Sequence, residues 1–314
     1  MKIVVTGSTG FLGSHLMPIL NDKYGKEHVK GLCSKDYDLM NFNQAKQMFE
    51  DLEPEVLIHL AAYSGGIGAN RKYPGDFYFI NTILTANCFE LAARYGVKKM
   101  IYAMGGCSYP ATATSPINEE QMWQGYPQQE SAGYSAAKKM GIVASSSYRT
   151  QYGLNSVVLI PGNMYGPYDN FRNDESHVVP GMLRRYYEAK LNHTPKVTMW
   201  GSGTPTRDFV YAGDIAALIP WFIENYNQTG PINLSSGTTT SIKELAETIK
   251  EMTGYEGEIE WDTTKPDGQM VKIFDVSKMQ SLGLACATSL AEGLQKTAAW
   301  LEKNYASRGD HIRL

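Results

Sequence analysis

Residues 2–13 read KIVVTGSTGFLG, a short apolar run followed at once by three evenly spaced glycines. Lys2–Thr6 has the continuous apolar character of a buried strand, and Phe11–Asp22 that of a helix. Gly7, Gly10 and Gly13 stand in the turn between them. In dinucleotide-binding proteins such glycines permit a tight turn, bring the backbone close to pyrophosphate and let the helix pack on the strand. A purely structural glycine turn is the alternative.

The same strand–helix alternation continues along the first half of the chain. Continuous apolar runs predict buried strands at Glu55–Ala62, Lys98–Met104 and Ser156–Ile160, with helices at Asn81–Tyr95 and Ser135–Tyr152. Strands that are apolar on both faces are typical of a parallel sheet covered by helices on each side. We therefore expect an α/β fold, with a Rossmann-type doubly wound parallel sheet.

The sequence pattern changes after about Pro161, where PGNMYGPYDN introduces turn residues. A helix is expected over Val179–Lys190. A second is expected over Ser241–Thr253, where Ser241 and Glu244 have the spacing of a capping box. We predict a cofactor-binding Rossmann domain over residues 1–165, with a return segment near 208–235. Residues 166–314 are expected to form mainly a smaller mixed α/β substrate lobe.

Composition excludes several classes of function. The chain has 314 residues, a net charge of −3 and 43% hydrophobic residues, so it lacks the basic field of a nucleic-acid-binding protein. The four widely spaced cysteines include no CxxC pair, and no metal site is expected. No apolar run reaches the roughly 18 residues of a membrane span. We expect reduced thiols and a cytoplasmic location.

The end of the second predicted strand bears on the choice of cofactor. An acidic residue there would hold the ribose 2′-hydroxyl of NAD, but this chain reads GLCSKDYDL. Ser34 and Lys35 would instead accept the 2′-phosphate of NADP. Asp36 and Asp38 complicate the choice, and Asp38 is also a candidate contact to adenine. The pattern favours NADP and leaves NAD open.

Tyr134 and Lys138 form a YxxxK pair at the start of a predicted helix. A separation of four residues places both side chains on one helical face. The ammonium is expected to favour the phenolate and to lower the pKa of the tyrosine. The phenol would then pass a proton to or from a substrate oxygen. An exposed helix pair is the alternative, but the upstream glycine turn favours nicotinamide chemistry.

Together these motifs resemble the extended short-chain dehydrogenase/reductases. Longer stretches are similar to the GDP-L-fucose synthase family and run through most of the chain. They are Ser64–Phe77, Cys107–Pro110, Asn163–Phe171, Ser176–Arg185, Trp200–Phe209 and Lys265–Gly268.

The resemblance implies a reaction and four catalytic residues. The family epimerises C3 and C5 of GDP-4-keto-6-deoxy-D-mannose and then reduces the C4 ketone with NADPH, which gives GDP-L-fucose. By resemblance, Tyr134 would protonate the C4 oxygen with Lys138 as its partner. Cys107 and His177 would form the acid/base pair of the epimerisation. Taken alone, Cys107 reads as a small buried hydrophobe and His177 as a helix-cap or surface residue.

The resemblance also implies the ligand contacts and the assembly. Arg185 and Arg207 suit a diphosphate through their bidentate geometry, although Arg207 alone reads as a surface charge. Trp200 suits a flat group, although a lone tryptophan is more often core. The implied substrate contacts are Asn163, Arg185, Trp200, Arg207 and Asp267. The implied cofactor contacts are Gly7, Thr9, Gly10, Phe11, Leu12, Gly13, Ser34, Lys35, Asp38, Ala61, Lys138, Pro161, Asn163, Met164 and His177. A homodimer that pairs through the YxxxK helix is expected.

The chain departs from the family pattern at Gly105, where relatives carry a serine or threonine that donates a hydrogen bond to the substrate oxygen. Losing such a donor commonly costs a rate factor of about a hundred or more. Ser108 would face the other side of a regular strand, so it is a poor substitute. A water molecule, different chemistry, a bulkier substrate or a laboratory substitution are the remaining explanations.

Three functions are therefore weighed. The first is a GDP-sugar 3,5-epimerase/4-reductase of the fucose-synthase type. The second is a related enzyme of another nucleotide sugar, such as a GDP-4-keto-heptose reductase or a GDP-mannose-type epimerase. The third is a catalytically silent NADP-binding protein, which only Gly105 favours.

Overall fold

A six-stranded parallel sheet lies at the centre of the molecule. The computed structural model describes residues 1–172, 175–265 and 267–306. Pro266 of the Lys265–Gly268 stretch and residues 307–314 of the expected lobe lie outside this range. The strands, in chain order, are β1 (Ile3–Thr6), β2 (Val29–Leu32), β3 (Val56–His59), β4 (Lys99–Ala103), β5 (Ser156–Pro161), β6 (Asn163–Tyr165), β7 (Lys196–Trp200), β8 (Thr206–Arg207), β9 (Phe209–Tyr211), β10 (Pro231–Leu234), β11 (Thr240–Ser241), β12 (Glu258–Asp262) and β13 (Val271–Lys272).

Helices connect these strands and cover the sheet. They are α1 (Phe11–Tyr24), α2 (Phe42–Leu52), α3 (Ile67–Lys72), α4 (Pro74–Arg94), α5 (Ala132–Tyr152), α6 (Val178–Leu191), α7 (Ala212–Asn225), α8 (Ile242–Thr253), α9 (Ser277–Ser281) and α10 (Leu290–Tyr305). Short 3-10 turns occupy Gly106–Ser108, Glu119–Trp123 and Gln129–Ser131.

The strand order of the central sheet is β10-β5-β4-β3-β1-β2, and every pairing is parallel. The chain starts at β1, next to the sheet edge, continues to the edge strand β2, and then crosses back to β3, β4 and β5. This is the doubly wound arrangement, and the predicted fold class is confirmed. The expected strands lie where the apolar runs placed them, although Glu55–Ala62 is shortened to β3.

Alternate residues of each strand enter separate cores on the two faces of the sheet. Val4 and Met100 pack with α2, α4 and α5 on one face. Ile3 and Ile101, their direct neighbours, pack with α1 and α7 on the other. Because both faces are buried, most positions of a central strand are apolar, which explains the continuous hydrophobic runs.

The segment that follows β9 returns to this sheet. Helix α7 packs beside α1, and β10 pairs in parallel with β5 at the sheet edge. Val276 and Met279 belong to the same core, so parts of the last 40 residues also cover the sheet. A third core, built around Leu183, Tyr186 and Leu245, joins α6, α8 and α10.

Two helix starts illustrate what the sequence specifies. The predicted cap of α8 is confirmed, since Ser241 Oγ accepts from the Glu244 amide at 3.1 Å and Glu244 Oε2 accepts from the Ser241 amide at 2.8 Å. The helix expected over Asn81–Tyr95 instead begins at Pro74, a residue preorganised for the first helical turn. Its first turns expose Tyr78 and Phe79, which hides the usual apolar periodicity.

No helix within the described ranges is long and apolar enough to cross a membrane.

The packing of α1 on the glycine turn predicts unequal effects of two alanine substitutions. In Gly13→Ala the new Cβ would lie 2.5 Å from the Ser8 carbonyl oxygen and 2.6 Å from its carbon, so the backbone must move. In Gly10→Ala the single close atom is the Gly7 carbonyl oxygen at 3.1 Å. We expect Gly13→Ala to be less stable than Gly10→Ala by about 1–3 kcal/mol in urea unfolding without nucleotide. Equal stabilities would contradict this packing.

Candidate active site

The glycine turn presents a helix N-terminus to the carboxyl edge of the sheet. Gly7 adopts φ of +71°, and its carbonyl accepts the Gly10 amide at 3.0 Å. Gly10 caps α1 without any side-chain acceptor, and the first turn holds no acidic residue. The amides in the first turn of α1 are thus available to an anion such as pyrophosphate. Thr9 is exposed at the turn, Phe11 is partly buried and Leu12 is buried.

The turn also lies against the end of β3. A Cβ at Gly7 would be 2.7 Å from the Ala61 amide nitrogen, so no larger residue fits there. The Ala61 amide donates to Thr6 Oγ1 at 3.3 Å. Glycine at position 7 therefore allows the turn to approach the backbone at the end of β3 closely.

The loop after β2 leaves basic and hydroxyl side chains facing solvent. Asp36 Oδ2 accepts the Cys33 amide at 2.8 Å, and Asp38 Oδ1 accepts the Met40 amide at 3.0 Å. Both carboxylates are thereby turned towards their own backbone. Ser34 and Lys35 are exposed beside them, which suits a 2′-phosphate better than a free 2′-hydroxyl.

Gly105 follows β4 and stands between two reactive side chains. A Cβ built on Gly105 would lie 3.2 Å from Cys107 Sγ, and 3.6 Å from the Tyr134 hydroxyl. Ser135 Oγ donates to the Cys107 carbonyl at 3.0 Å and ties this turn to α5. The structure therefore brings the thiol and the phenol to the same small space.

Ser108 belongs to a 3-10 turn, because the strand ends at Ala103. The expectation that Ser108 faces the far side of a regular strand is wrong, because strand alternation does not extend to this position. Its hydroxyl is fully buried and makes no hydrogen bond within the described residues.

Tyr134 and Lys138 lie on the first turns of α5, and both interact electrostatically with Cys107. Burial, followed by the neighbouring Cys107 and Tyr102, raises the pKa of Tyr134. The expected lowering was wrong because desolvation disfavours the phenolate, and both neighbouring groups add to the rise. Burial likewise lowers the pKa of Lys138 to about 7. A phenol held in its protonated form can donate a proton.

His177 stands at the N-cap of α6, where its side chain is 55% exposed. Its Nδ1 lies 3.7 Å from Oδ1 of Asp169, and the Asp169 side chain is buried to 3% exposure. The histidine is therefore open to solvent and has a buried carboxylate beside it.

The residues expected to contact the substrate lie on α6, at the end of β7, on β8, on β6 and in the loop before β13. Arg185 Nη1 donates to the Thr198 carbonyl at 3.3 Å on β7, the strand that ends at Trp200. Trp200 is 71% exposed, so it is not a core residue. Arg207 is half-buried rather than a plain surface charge, and burial lowers its pKa.

Two other expected contacts are engaged by the protein itself. Both Asp267 oxygens accept from Ser202, its amide at 2.6 Å and its hydroxyl at 2.9 Å. Asp267 thus orders the turn that follows Trp200. Asn163 Nδ2 donates to the Asp208 carbonyl at 2.8 Å, which joins β6 to β9. Pro161 is the last residue of β5, and Met164 follows Asn163 in the middle of β6.

Lys272 lies beside one of these residues, although no sequence motif pointed to it. It pairs with Arg207 in the β8–β13 ladder and interacts electrostatically with both Arg207 and Cys107. Burial lowers the pKa of Lys272. Its only sequence signal is a lysine between two apolar residues, close after the Lys265–Gly268 stretch. Two cations side by side suit a ligand with two negative charges.

Within the described part of the chain, no group of three or more histidine, cysteine or acidic side chains is placed to hold a metal ion.

The fold and these groups define a dinucleotide-binding Rossmann protein with a tyrosine–lysine pair at the edge of its sheet. Residues 3–235 match the model of the NAD dependent epimerase/dehydratase family, and the chain belongs to this family. GDP-L-fucose synthase 1 of Arabidopsis thaliana is 36% identical over 307 residues, which cover 98% of this chain and 95% of that protein. The resemblance inferred from the sequence is confirmed.

Solved structures agree with this assignment. A GDP-L-fucose synthetase from Naegleria fowleri bound to NADP superposes with a TM-score of 0.88 at 31% identity, covering 99% of this chain and 96% of that one. A GDP-6-OMe-4-keto-L-xylo-heptose reductase from C. jejuni reaches a TM-score of 0.89 at 26% identity, with coverages of 96% and 98%.

Proposed function

We propose that this chain is an NADPH-dependent 3,5-epimerase/4-reductase that converts GDP-4-keto-6-deoxy-D-mannose to GDP-L-fucose. The observation that carries the proposal is the convergence of Cys107 and Tyr134 on the space at Gly105, with Lys138 one turn along α5. The Arabidopsis thaliana relative is named for this activity, and the match covers nearly the whole length of both chains.

The cofactor assignment rests on the glycine turn and the loop after β2. The amides at the start of α1 would hold the pyrophosphate, and Ser34 and Lys35 would hold the 2′-phosphate. NADPH, when bound, supplies the hydride for the C4 carbon. The Naegleria fowleri neighbour with bound NADP supports this choice over NAD.

Epimerisation falls to Cys107 and His177. The C4 ketone of the substrate acidifies the hydrogens on C3 and C5, so two side chains on opposite ring faces can remove and return protons. His177, whose Nδ1 lies 3.7 Å from Oδ1 of Asp169, would return the proton from one face. Cys107 would act from the other face as the base.

Reduction uses Tyr134 as the proton donor to the C4 oxygen. Because burial raises its pKa, the phenol is protonated at neutral pH and has a proton to give. The Lys138 ammonium stabilises the phenolate that remains. Gly105 supplies no side-chain hydroxyl, so this half of the reaction lacks the second donor present in the wider family.

The GDP part of the substrate is assigned to the surface formed by α6, β7, β8 and β13. Arg185, Arg207 and Lys272 provide positive charge for the diphosphate. The exposed face of Trp200 suits the guanine base. Asp267 supports this surface through Ser202 rather than as a lone carboxylate.

A second candidate is reduction of a larger GDP-4-keto sugar such as a heptose. Gly105 places no side chain between Cys107 and Tyr134, and the C. jejuni heptose reductase has the same fold. Direct comparison of hexose and heptose substrates distinguishes these two readings.

We also propose a homodimer and a cytoplasmic location. Apolar side chains on the neighbouring helices α4 and α5 are exposed, including Phe79, Met140 and Val143. Pairing of two copies would cover them, and a monomer on gel filtration would refute this. All four cysteines are free thiols, which suits a reducing compartment.

The first test separates the two half-reactions. Incubation with GDP-4-keto-6-deoxy-D-mannose in deuterated water should place deuterium at C3 and C5 without NADPH, because exchange needs only Cys107 and His177. Added NADPH should then be oxidised in proportion to the sugar. Tyr134→Phe should slow NADPH oxidation by about a hundredfold or more and preserve exchange. Absence of both signals would contradict the proposal and favour another sugar or a silent NADP-binding protein.

The second test restores the missing hydroxyl. Gly105 has φ of −110°, so its backbone accepts any residue, although a Cβ needs small shifts of Cys107 and Tyr134. We expect Gly105→Ser to raise the rate of C4 reduction about tenfold or more, because it adds a donor beside the C4 oxygen. Gly105→Ala adds the same Cβ without the hydroxyl and should give no gain. Equal rates for the two variants would exclude a missing donor as the limit on reduction.

A further inference from the structure

The ring of Tyr102 lies beneath the ammonium of Lys138. Lys138 Nζ is 4.2 Å from the centroid of the Tyr102 ring, well inside the range of a cation–π contact. Tyr102 is fully buried and Lys138 is 2% exposed. Such contacts are strongest where water is excluded.

Tyr102 contacts the same lysine a second time through its hydroxyl. The hydroxyl donates to the Lys138 backbone carbonyl at 3.2 Å and lies 3.0 Å from Thr85 Oγ1. Because the hydroxyl has one proton, Thr85 is the donor in the second bond. One side chain of β4 therefore fixes both the backbone and the charged end of Lys138.

The neighbours of the ring are arranged around this contact. A Cβ at Gly141 on α5 would clash with the edge of the Tyr102 ring, so the glycine makes the close approach possible. His59 stacks near the ring, with centroids 5.8 Å apart and an angle of 24°. Burial lowers the pKa of His59 to about 3, which keeps this neighbour uncharged near the lysine.

No carboxylate balances the charge of Lys138 within the described residues. The titratable groups that interact with it are Cys88 from α4, Cys107 from the turn after β4 and the neutral His59 from β3. Electrostatic interaction with Cys88 and Cys107 raises the pKa of Lys138, but the opposite effect of burial is larger. The face of the Tyr102 ring is a further source of stabilisation for the ammonium.

We propose that Tyr102 is a positioning residue that holds the Lys138 side chain in place and keeps it charged. It acts through Lys138 and does not touch the substrate. The inference rests on the proposed function, since the charge of Lys138 is needed there to stabilise the Tyr134 phenolate. It assigns a role to a residue outside the YxxxK and cysteine motifs.

The direct test measures the protonation of Lys138 in the full-length NADP⁺ complex. Enzyme labelled with ¹³C at the lysine Cε is titrated by NMR, and the Lys138 signal is identified by its loss in Lys138→Met. Tyr102→Phe keeps the ring face and should leave the apparent pKa within a few tenths of the unaltered enzyme. Tyr102→Leu should lower the pKa by about one pH unit or more, a tenfold change in protonation.

A shape-matched pair guards against a variant that fails to fold. Phenylalanine and 3,4,5-trifluorophenylalanine at position 102 have nearly the same volume, but fluorine weakens the negative face of the ring. The fluorinated enzyme should have the lower Lys138 pKa of the two. Equal pKa values in this pair would overturn the proposal, because a purely packing role does not depend on ring electrostatics.

Kinetics provide a separate readout in the same enzymes. The basic limb of the pH profile for NADPH oxidation should move to lower pH in Tyr102→Leu, with about a tenfold loss of kcat/KM at pH 8. Deuterium exchange at C3 and C5 should stay unchanged, since Cys107 and His177 are intact. An unshifted limb would count against Tyr102. If the unaltered enzyme does not use the sugar, the proposed function fails, yet the NMR titration still decides the role of Tyr102.

Discussion

Burial of a positive charge behind the edge of the central sheet is the constraint on which the candidate site depends. Lys138 is almost fully buried, and this lowers its pKa to about 7, close to the pH at which an enzyme works. The same desolvation raises the pKa of Tyr134. One physical effect therefore brings a lysine near its titration point and keeps its partner phenol protonated, which suits proton donation better than proton removal.

Most of the fold could be predicted from the sequence, because the patterns that specify its strands and helices are local. Ile3 and Val4 are both apolar, since one faces each core, so β1 reads as a continuous hydrophobic run. Ser241 and Glu244 specify the start of α8 within four residues. The start of α4 was missed because Tyr78 and Phe79 are exposed there, and tertiary context decides whether such a face is covered.

The arrangement of the candidate site was harder to predict, because it brings together residues that are far apart in the chain. The motifs and the family resemblance indicated Cys107, Tyr134 and Lys138 as site residues. No local sequence pattern shows that Gly105 lies between the thiol and the phenol. The pairing of Lys272 with Arg207 needs a β ladder between distant segments. The sign of the Tyr134 pKa shift also depends on burial, which a pairwise argument from YxxxK leaves out.

Gly105 bears unequally on the two halves of the proposed reaction. Proton exchange at C3 and C5 needs a polarised ketone and two acid/base groups, and the departure at position 105 removes neither Cys107 nor His177. Hydride transfer builds negative charge on the C4 oxygen, where each missing donor raises the barrier directly. Tyr134 is then the only side chain with an assigned donor role at that oxygen. Its protonated, desolvated phenol makes the loss of a second donor tolerable, because a hydrogen bond from an acid in a dry site is stronger than one in water.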